Sequence, residues 1–417
     1  MESNMNLWME KEARYCARNY DPLPVVLGSG KGVWLRDVHG KSYLDMMSAY
    51  SAVSFGHGHP ALLAALTEQA QRLAVTSRAF HTDQLGPFLE RLCSMTGQAK
   101  ALPMNTGAEA VETAIKAARK WGYKVKRIPD NKAQVIVCHG NFAGRTTTLV
   151  GFSSEPQYRG GFGPFAPGFV SIPFGDAAAL EAAITSHTAA FLLEPIQGEG
   201  GIVVPPPGYL AACRAICARH DVLLICDEVQ TGLGRTGRLL ACDHEAVKPD
   251  GLILGKALGG GLLPVSAFLA REDVMDVFGP GDHGSTFGGN PLAAAVGSAA
   301  LRVLQEENLV ERASSMGDYL MAGLRKLRHP AIRDVRGKGL LIGLELDPAW
   351  ISGRAFCEKL MHAGLLTKDT HSTVVRFAPP LVITQDELDT ALGIIRAVFD
   401  ALPAKEAAAG AAEPLIV

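Results

Sequence analysis

Lys256 lies in Leu252-Ile253-Leu254-Gly255-Lys256-Ala257-Leu258-Gly259-Gly260-Gly261, at the end of a short apolar segment. Asp227 closes another such segment, Val222-Leu223-Leu224-Ile225-Cys226-Asp227, twenty-nine positions earlier. An amine at one strand end and a buried carboxylate at another suit one kind of chemistry: the amine condenses with an aldehyde, and the carboxylate keeps a heteroaromatic nitrogen protonated. Pyridoxal phosphate is the cofactor that needs both groups, because its protonated ring then withdraws electrons from a bound amino compound. A lysine on a glycine-rich loop is by default a solvated residue, so Lys256 gains its weight from Asp227 and from a phosphate cup upstream.

That cup is read in Pro103-Met104-Asn105-Thr106-Gly107-Ala108-Glu109, which opens a helix whose Ala108, Val111, Ile115 and Ala118 share one face. A glycine at the entry lets a phosphate approach unpaired N–H groups and the positive end of the helix dipole. An ordinary capped helix carries the same signature. Beyond the apolar run Gln134–Cys138, the segment His139-Gly140-Asn141-Phe142-Ala143-Gly144-Arg145 offers Phe142 as a face for a flat ring and Arg145 as a fork for a carboxylate. A phenylalanine so placed is more often a core residue. The glycine-rich loop 281–291 presents two adjacent hydroxyls, Ser285 and Thr286, as further phosphate donors.

Two motifs point elsewhere. Gly232, Gly234 and Gly237 match a dinucleotide fingerprint, but no amphipathic helix follows before Pro249, so a glycine-rich turn off a strand-end carboxylate explains them better. His57 and His59 have no neighbouring carboxylate or thiolate to complete a shell, and no metal is expected.

Short apolar, β-branched-rich runs at 134–138, 190–194, 222–227, 251–254 and 265–269 alternate with helical stretches between residues 60 and 290. Strands apolar on both faces belong to a mainly parallel sheet covered by helices, and ligands gather beyond the carboxyl ends of such strands. Glu194, Asp227 and Lys256 all fall there. Upstream, residues 1–20 read as a helical arm, and 32–45 as a hairpin turning at His39-Gly40. Downstream, a long helical stretch at 292–328 precedes a smaller α+β unit with strands at 332–337, 340–346 and 374–377. The alanine-rich tail 405–413 is aperiodic and expected to fray.

The 417 residues, 47% hydrophobic and 20% charged, suit an ordinary globular chain of two domains. A net charge of −2 supplies no field for nucleic acid or an anionic membrane, so small molecules are the expected partners. Eight cysteines without a C-x-x-C pair are expected to be reduced and mostly structural. With no targeting segment or bilayer-spanning run in view, a cytoplasmic protein is expected.

The chain resembles the class III (subgroup II) aminotransferases of pyridoxal-phosphate fold type I, from about residue 15 to 382, and within them the ornithine branch. The resemblance rests on Asn19-Tyr20-Asp21-Pro22-Leu23-Pro24-Val25, Ser51-Ala52-Val53, Thr76-Ser77-Arg78-Ala79-Phe80, Pro103–Gly107, Ala118-Arg119-Lys120-Trp121-Gly122-Tyr123, Glu194-Pro195-Ile196-Gln197-Gly198-Glu199, Asp227 to Gly237, Gly255-Lys256-Ala257-Leu258 and Arg376-Phe377-Ala378-Pro379-Pro380. It implies an α/β fold: a large domain with a mainly parallel seven-stranded sheet covered by helices, plus a smaller α+β domain. The division would be 1–59 (arm and hairpin, packing with the small domain), 60–290 (cofactor domain) and 291–417 (small domain).

The resemblance further implies that Lys256 carries pyridoxal 5'-phosphate and shuttles the proton, that Asp227 pairs with the ring nitrogen, that Gln230 bonds the ring hydroxyl and that Phe142 stacks on the ring. Gly107 and Ala108, with Ser285 and Thr286 from a partner subunit, would hold the phosphate in a homodimer with shared sites. Tyr20 and Arg145 would grip the α-amino and α-carboxylate groups of ornithine, with Tyr50 lining the pocket. Arg376, neutralised by Glu199 until needed, would take the α-carboxylate of 2-oxoglutarate. One departure is Ala143, where a bulky aromatic often follows the phenylalanine. It leaves room for lysine, N-acetylornithine, 4-aminobutyrate or another ω-amine. A nicotinamide oxidoreductase and a catalytically silent cofactor-binding protein are the readings from other classes, and the intact Lys256 and Asp227 argue against the second.

Overall fold

A computed structural model describes residues 2–403, so the expectation for the alanine-rich tail lies outside the described residues. The helical arm spans Glu2–Tyr15. Strands β1 (Leu27–Lys31), β2 (Trp34–Asp37) and β3 (Ser42–Asp45) follow, the last two forming the expected hairpin, with Gly40 in the left-handed region. The hairpin does not stand alone. Leu27–Lys31 adds a strand on one side, and a two-residue strand from far downstream pairs with β3 in parallel on the other.

The central sheet has seven strands: β4 (Lys100–Met104), β5 (Gln134–Cys138), β6 (Phe169–Ile172), β7 (Thr188–Leu193), β8 (Leu223–Asp227), β9 (Gly251–Leu254) and β10 (Ser266–Ala270), in the order β4-β10-β9-β8-β7-β5-β6. Only β10 runs against its neighbours; β9, β8, β7, β5 and β6 are mutually parallel. Every residue of β7, β8, β9 and β10 is buried, as strands covered on both faces require. On one face lies the helix Gly107–Lys124, whose Ala110, Val111, Ala114, Ile115, Ala117, Ala118 and Trp121 pack against Val135, Val137, Ala190, Ile225 and Phe268. β4 carries Pro103 and stands at the sheet edge, the place a strand tolerates a residue without an N–H.

A second four-stranded sheet joins β11 (Ile332–Lys338), β12 (Leu341–Leu346), β14 (Lys368–Thr370) and β15 (Val374–Phe377), ordered β11-β12-β15-β14. The short strand that extends the amino-terminal hairpin is β13 (Leu365–Leu366). The single helical stretch expected at 292–328 is two helices, Pro291–Glu306 and Leu309–Arg325. Asn308 interrupts them with φ +50°, a left-handed conformation asparagine tolerates better than most residues. The break lets the second helix turn onto the β11-β12 sheet.

That docking is close. A Cβ on Gly317 would stand 2.2 Å from the Gly339 carbonyl, and Gly339 (φ +53°) itself abuts Thr236 on the turn after β8. Backbone touches backbone, so nothing flexible can yield. Gly317→Ala is expected to lower stability by about 1–3 kcal/mol, read as a lower urea midpoint with an unchanged slope.

Candidate active site

Asp227, Lys256 and Glu194 all lie at the carboxyl ends of adjacent parallel strands, β8, β9 and β7, and line one cavity of about 180 Å³ with Gly107, Ala108, Val111, Phe142, Ala143, Gly144, Val229, Gln230 and Thr231. Lys256 is partly open to it and sits at φ +44°, a left-handed backbone between two glycine-flanked turns. Non-glycine residues hold that conformation only where surrounding packing fixes it, and such residues cluster at functional sites. Burial pulls the Lys256 amine below its ordinary value, against the opposing charges of Glu199 and Asp227. The amine is thus shifted toward the neutral, nucleophilic form.

Asp227 accepts the Val229 N–H at 3.0 Å, and burial pushes its carboxyl up to about 6. Glu194 spans two loops: one oxygen accepts the Phe142 N–H at 3.0 Å and the other the Gly198 N–H at 3.1 Å. Burial, then the Asp227 charge, raises it to about 8. Glu228 is spent on the turn itself, accepting the Thr231 hydroxyl and the N–H groups of Ala241 and Cys242 at 2.6–2.8 Å. Those bonds fold the 231–242 excursion into a tight turn ending in a short 3-10 helix, and there is no dinucleotide-type helix behind its glycines.

Phosphate capacity lies at the Gly107–Lys124 helix. A capping box, Thr106 with Glu109, satisfies some donors. Gly107 at N1 approaches Val229 so closely that a Cβ would meet it at 3.0 Å. Ser285 accepts from Asn105 Nδ2 at 2.8 Å, next to this helix start, while Thr286 is exposed; neither lines the cavity.

Beside the cavity, Arg376 on β15 is fully buried and forms a two-point ion pair with Glu199, at 2.7 and 2.9 Å, with Gln230 closing the triangle at 2.9 Å to Arg376 and 3.2 Å to Glu199. Burial alone would raise Glu199; the Arg376 charge and hydrogen bonds overcome it and bring the carboxyl to about 2. The Tyr50 ring lies 5.1 Å from the Arg376 guanidinium. Tyr50 belongs to a left-handed turn, Ser48 to Ser51 at φ +45° to +73°, pinned by Asp45 accepting the Met47 and Ser48 N–H groups.

Arg235 braces that turn from behind. It is fully buried and donates to Ser48, Ser54, Leu340 O and Pro379 O, joining the turn after β8 to the Tyr50 segment and the loop after Arg376. Tyr20 is 74% exposed, beside a backbone held by Arg354 to Asp21 O and Pro22 O; burial, then the Glu199 charge, raises the Tyr50 phenol, and Tyr20 is near enough to add a smaller push. Arg145 stands exposed at the rim, without an ion pair among the described residues. His57 pairs with Asp45 at 2.7 Å and His59 with Glu307 at 2.9 Å.

A family model, aminotransferase class-III, matches residues 15–399. The chain belongs to the class-III aminotransferases. It is 58% identical to an ornithine aminotransferase of Halalkalibacterium halodurans, over 94% of this chain and 98% of that one. Two solved structures are similarly near: the ornithine aminotransferase from Toxoplasma gondii, described with partial occupancy of PLP at its active site (47% identity, TM-score 0.95, 97% and 96% of the two chains), and an acetylornithine aminotransferase from Elizabethkingia anophelis (48%, 0.87, 95% and 99%).

Class-III aminotransferases work with pyridoxal phosphate, and the residues present fit it: a buried amine, a buried acid lacking a counterion, an aromatic face and a helix amino terminus face one cavity. Glu194, Arg235 and the left-handed turn under Tyr50 are parts that motif reading does not assign.

The Asp227 shift gives a prediction. With its folded value raised to about 6 from 3.8, the group's contribution to stability is full below pH 3.8 and is lost as pH rises through 6, roughly 3 kcal/mol in all. With cofactor stripped, Asp227→Asn is expected to be more stable than the parent at pH 8 and equal to it at pH 4. With cofactor bound, the order at pH 8 reverses. Thermal unfolding of both proteins in both states reads this directly.

Proposed function

We propose that this aminotransferase moves the δ-amino group of L-ornithine to 2-oxoglutarate, yielding glutamate 5-semialdehyde and L-glutamate. The observation that carries the reading is the unequal state of two arginines: Arg376 is neutralised by Glu199, whereas Arg145 at the rim has no carboxylate among the described residues. A donor with one carboxylate remote from its reacting amine needs one free cation, far from Lys256. A diacid whose keto carbon must reach the same point needs a second cation close by. Opening the Glu199–Arg376 pair supplies it.

Bound cofactor supplies an electron sink for the charge that develops on the substrate carbon. The chain's own groups do the rest. Lys256 Nζ would hold the cofactor's aldehyde at rest and, once freed by the donor amine, would carry the proton removed from the donor's δ-carbon. Asp227 would hold the ring-nitrogen proton, Gln230 would bond the ring hydroxyl, Phe142 would cover one face, and Gly107 and Ala108 would bind the phosphate. Ser285 and Thr286 are assigned to a second subunit's phosphate in a homodimer with shared sites, a role supported by their standing off this chain's cavity. Tyr20 and Arg145 take the α-amino and α-carboxylate groups, with Tyr50 between them and Arg376. We take 60–290 as the cofactor domain, with 1–59 and 291–417 as the segments that bring Tyr20, Tyr50 and Arg376 to it. Eight unpaired thiols suit a cytoplasmic setting. Among the described residues no helix is long and apolar enough to cross a membrane.

A second donor class has one observation in its favour. Ala143 lines the cavity, leaving space that a bulkier N-acetyl or longer ω-amine can occupy.

Bleaching of the cofactor-loaded protein, followed in parallel with L-ornithine, L-lysine, N-acetylornithine and 4-aminobutyrate, separates these readings. Ornithine is expected to react with the highest kcat/KM, and Tyr20→Phe to lower it for ornithine by about tenfold, the worth of one hydrogen bond to a charged group, while leaving 4-aminobutyrate unchanged. Faster bleaching by N-acetylornithine would move the assignment to the second class. Replacing Glu199 by Gln leaves Arg376 without its counterion before the diacid arrives, so ornithine is expected to bind by its α-carboxylate there, and the δ-product to fall as a share of total product by mass analysis.

A further inference from the structure

Among the described residues Arg145 has no carboxylate partner, yet it is not loose. Its guanidinium carbon lies 4.0 Å from the centre of the Tyr158 ring and 5.7 Å from that of Phe142, and the two rings meet edge-on at 6.0 Å and 78°. An Arg over an aromatic face is attracted by the ring's quadrupole and lies flat on it, which leaves the edge donors of its fork directed outward.

Tyr158 is itself held from several sides. It sits in the short helix Pro156–Arg159, with its N–H on Glu155 O. Arg159 reaches back to Ser153 O and lies over the Phe165 ring at 5.1 Å. The fold-back is sewn to the Phe142 loop by Gly140 N–H to Ser154 Oγ at 2.8 Å and Asn141 Nδ2 to Phe152 O at 3.3 Å. One excursion after β5 thus carries Phe142, Arg145 and the ring that flattens Arg145 against it.

We propose that Tyr158 is a positioning and specificity-determining residue: its ring face fixes Arg145 at a set distance from Lys256, and so selects ligands that carry a carboxylate remote from the reacting carbon. The inference rests on the assignment of Arg145 to the substrate carboxylate made above. The α-carboxylate of ornithine and the distal carboxylate of 2-oxoglutarate are its two clients. The ring, not the phenol hydroxyl, does the work.

The test uses cofactor-loaded protein and two readouts. Glutarate, a five-carbon diacid with neither amine nor keto group, binds without turnover, and calorimetry gives its Kd. Ornithine half-reactions give KM and the limiting rate separately. Tyr158→Leu is expected to raise the glutarate Kd and the ornithine KM about fivefold each, the upper scale of one cation–π contact at an exposed site, with a limiting rate within about twofold. Tyr158→Phe restores both values. Tyr158→Met replaces the leucine variant if that one loses its cofactor or unfolds early. In an Arg145→Ala background, Tyr158→Leu is expected to change the glutarate Kd no further. Unchanged Kd and KM in the leucine variant, a phenylalanine variant as weak as leucine, or an undiminished effect without Arg145 would each overturn the proposal. If glutarate responds as expected while ornithine is not a substrate of the parent protein, Tyr158 keeps its role and the donor assignment falls.

Discussion

Two carboxyl groups, Glu194 and Asp227, are buried at neighbouring strand ends without a cation in ion-pair contact among the described residues, and the site is built around that imbalance. A buried carboxylate is costly unless something positive meets it. The protein answers Glu194 with two backbone N–H groups and Glu228 with a hydroxyl and two more N–H groups. Asp227 receives only the Val229 N–H. The proposed function gives it a cationic ring nitrogen as partner, and Lys256, Phe142 and Gly107 line the same cavity.

The second charge arrangement follows a different rule. Glu199 and Arg376 are fully matched, two-point and closed by Gln230, so the pair is stable as it stands. Gln230 also lines the cavity that holds Lys256 and Asp227, so the cavity and the ion pair share a residue. The turn after β8 therefore joins both arrangements: Asp227 and Gln230 stand at its start, and Arg235 a few residues on ties it to the Tyr50 turn and to the loop beyond Arg376. A buried arginine without a carboxylate of its own is a costly device, and burial depresses Arg235 to about 9. What it secures is the register of the turn after β8 against the Tyr50 turn and the loop beyond Arg376, two segments that also bond each other through Ser48 Oγ to Ala378 O at 2.7 Å.

Much of this was legible in the chain. Lys256 and Asp227 announce themselves because strands apolar on both faces end abruptly in a charge. The Gly107 helix start shows because its cap and its apolar face lie within one stretch of sequence. What stayed hidden depends on distant partners. Leu27–Lys31 has no alternation and becomes a strand only because β2 offers its edge. The break at Asn308 is one residue within two well-formed helical patterns. Tyr158 lies in a short polar turn with no period at all; its meaning comes from Arg145, thirteen positions earlier, once the excursion folds back. Arg235, an arginine among glycines to which the sequence gives no role, is wholly enclosed.

On the proposed function, the amine of Lys256 would hold the aldehyde of the cofactor, with the Asp227 carboxylate paired to its ring nitrogen. Borohydride reduction of the yellow, active protein, followed by proteolysis and mass mapping, tests it most directly. The reduced cofactor is expected on the peptide containing Lys256, with full loss of activity. Label on another lysine, or an unlabelled Lys256 peptide from fully active and loaded protein, would contradict it.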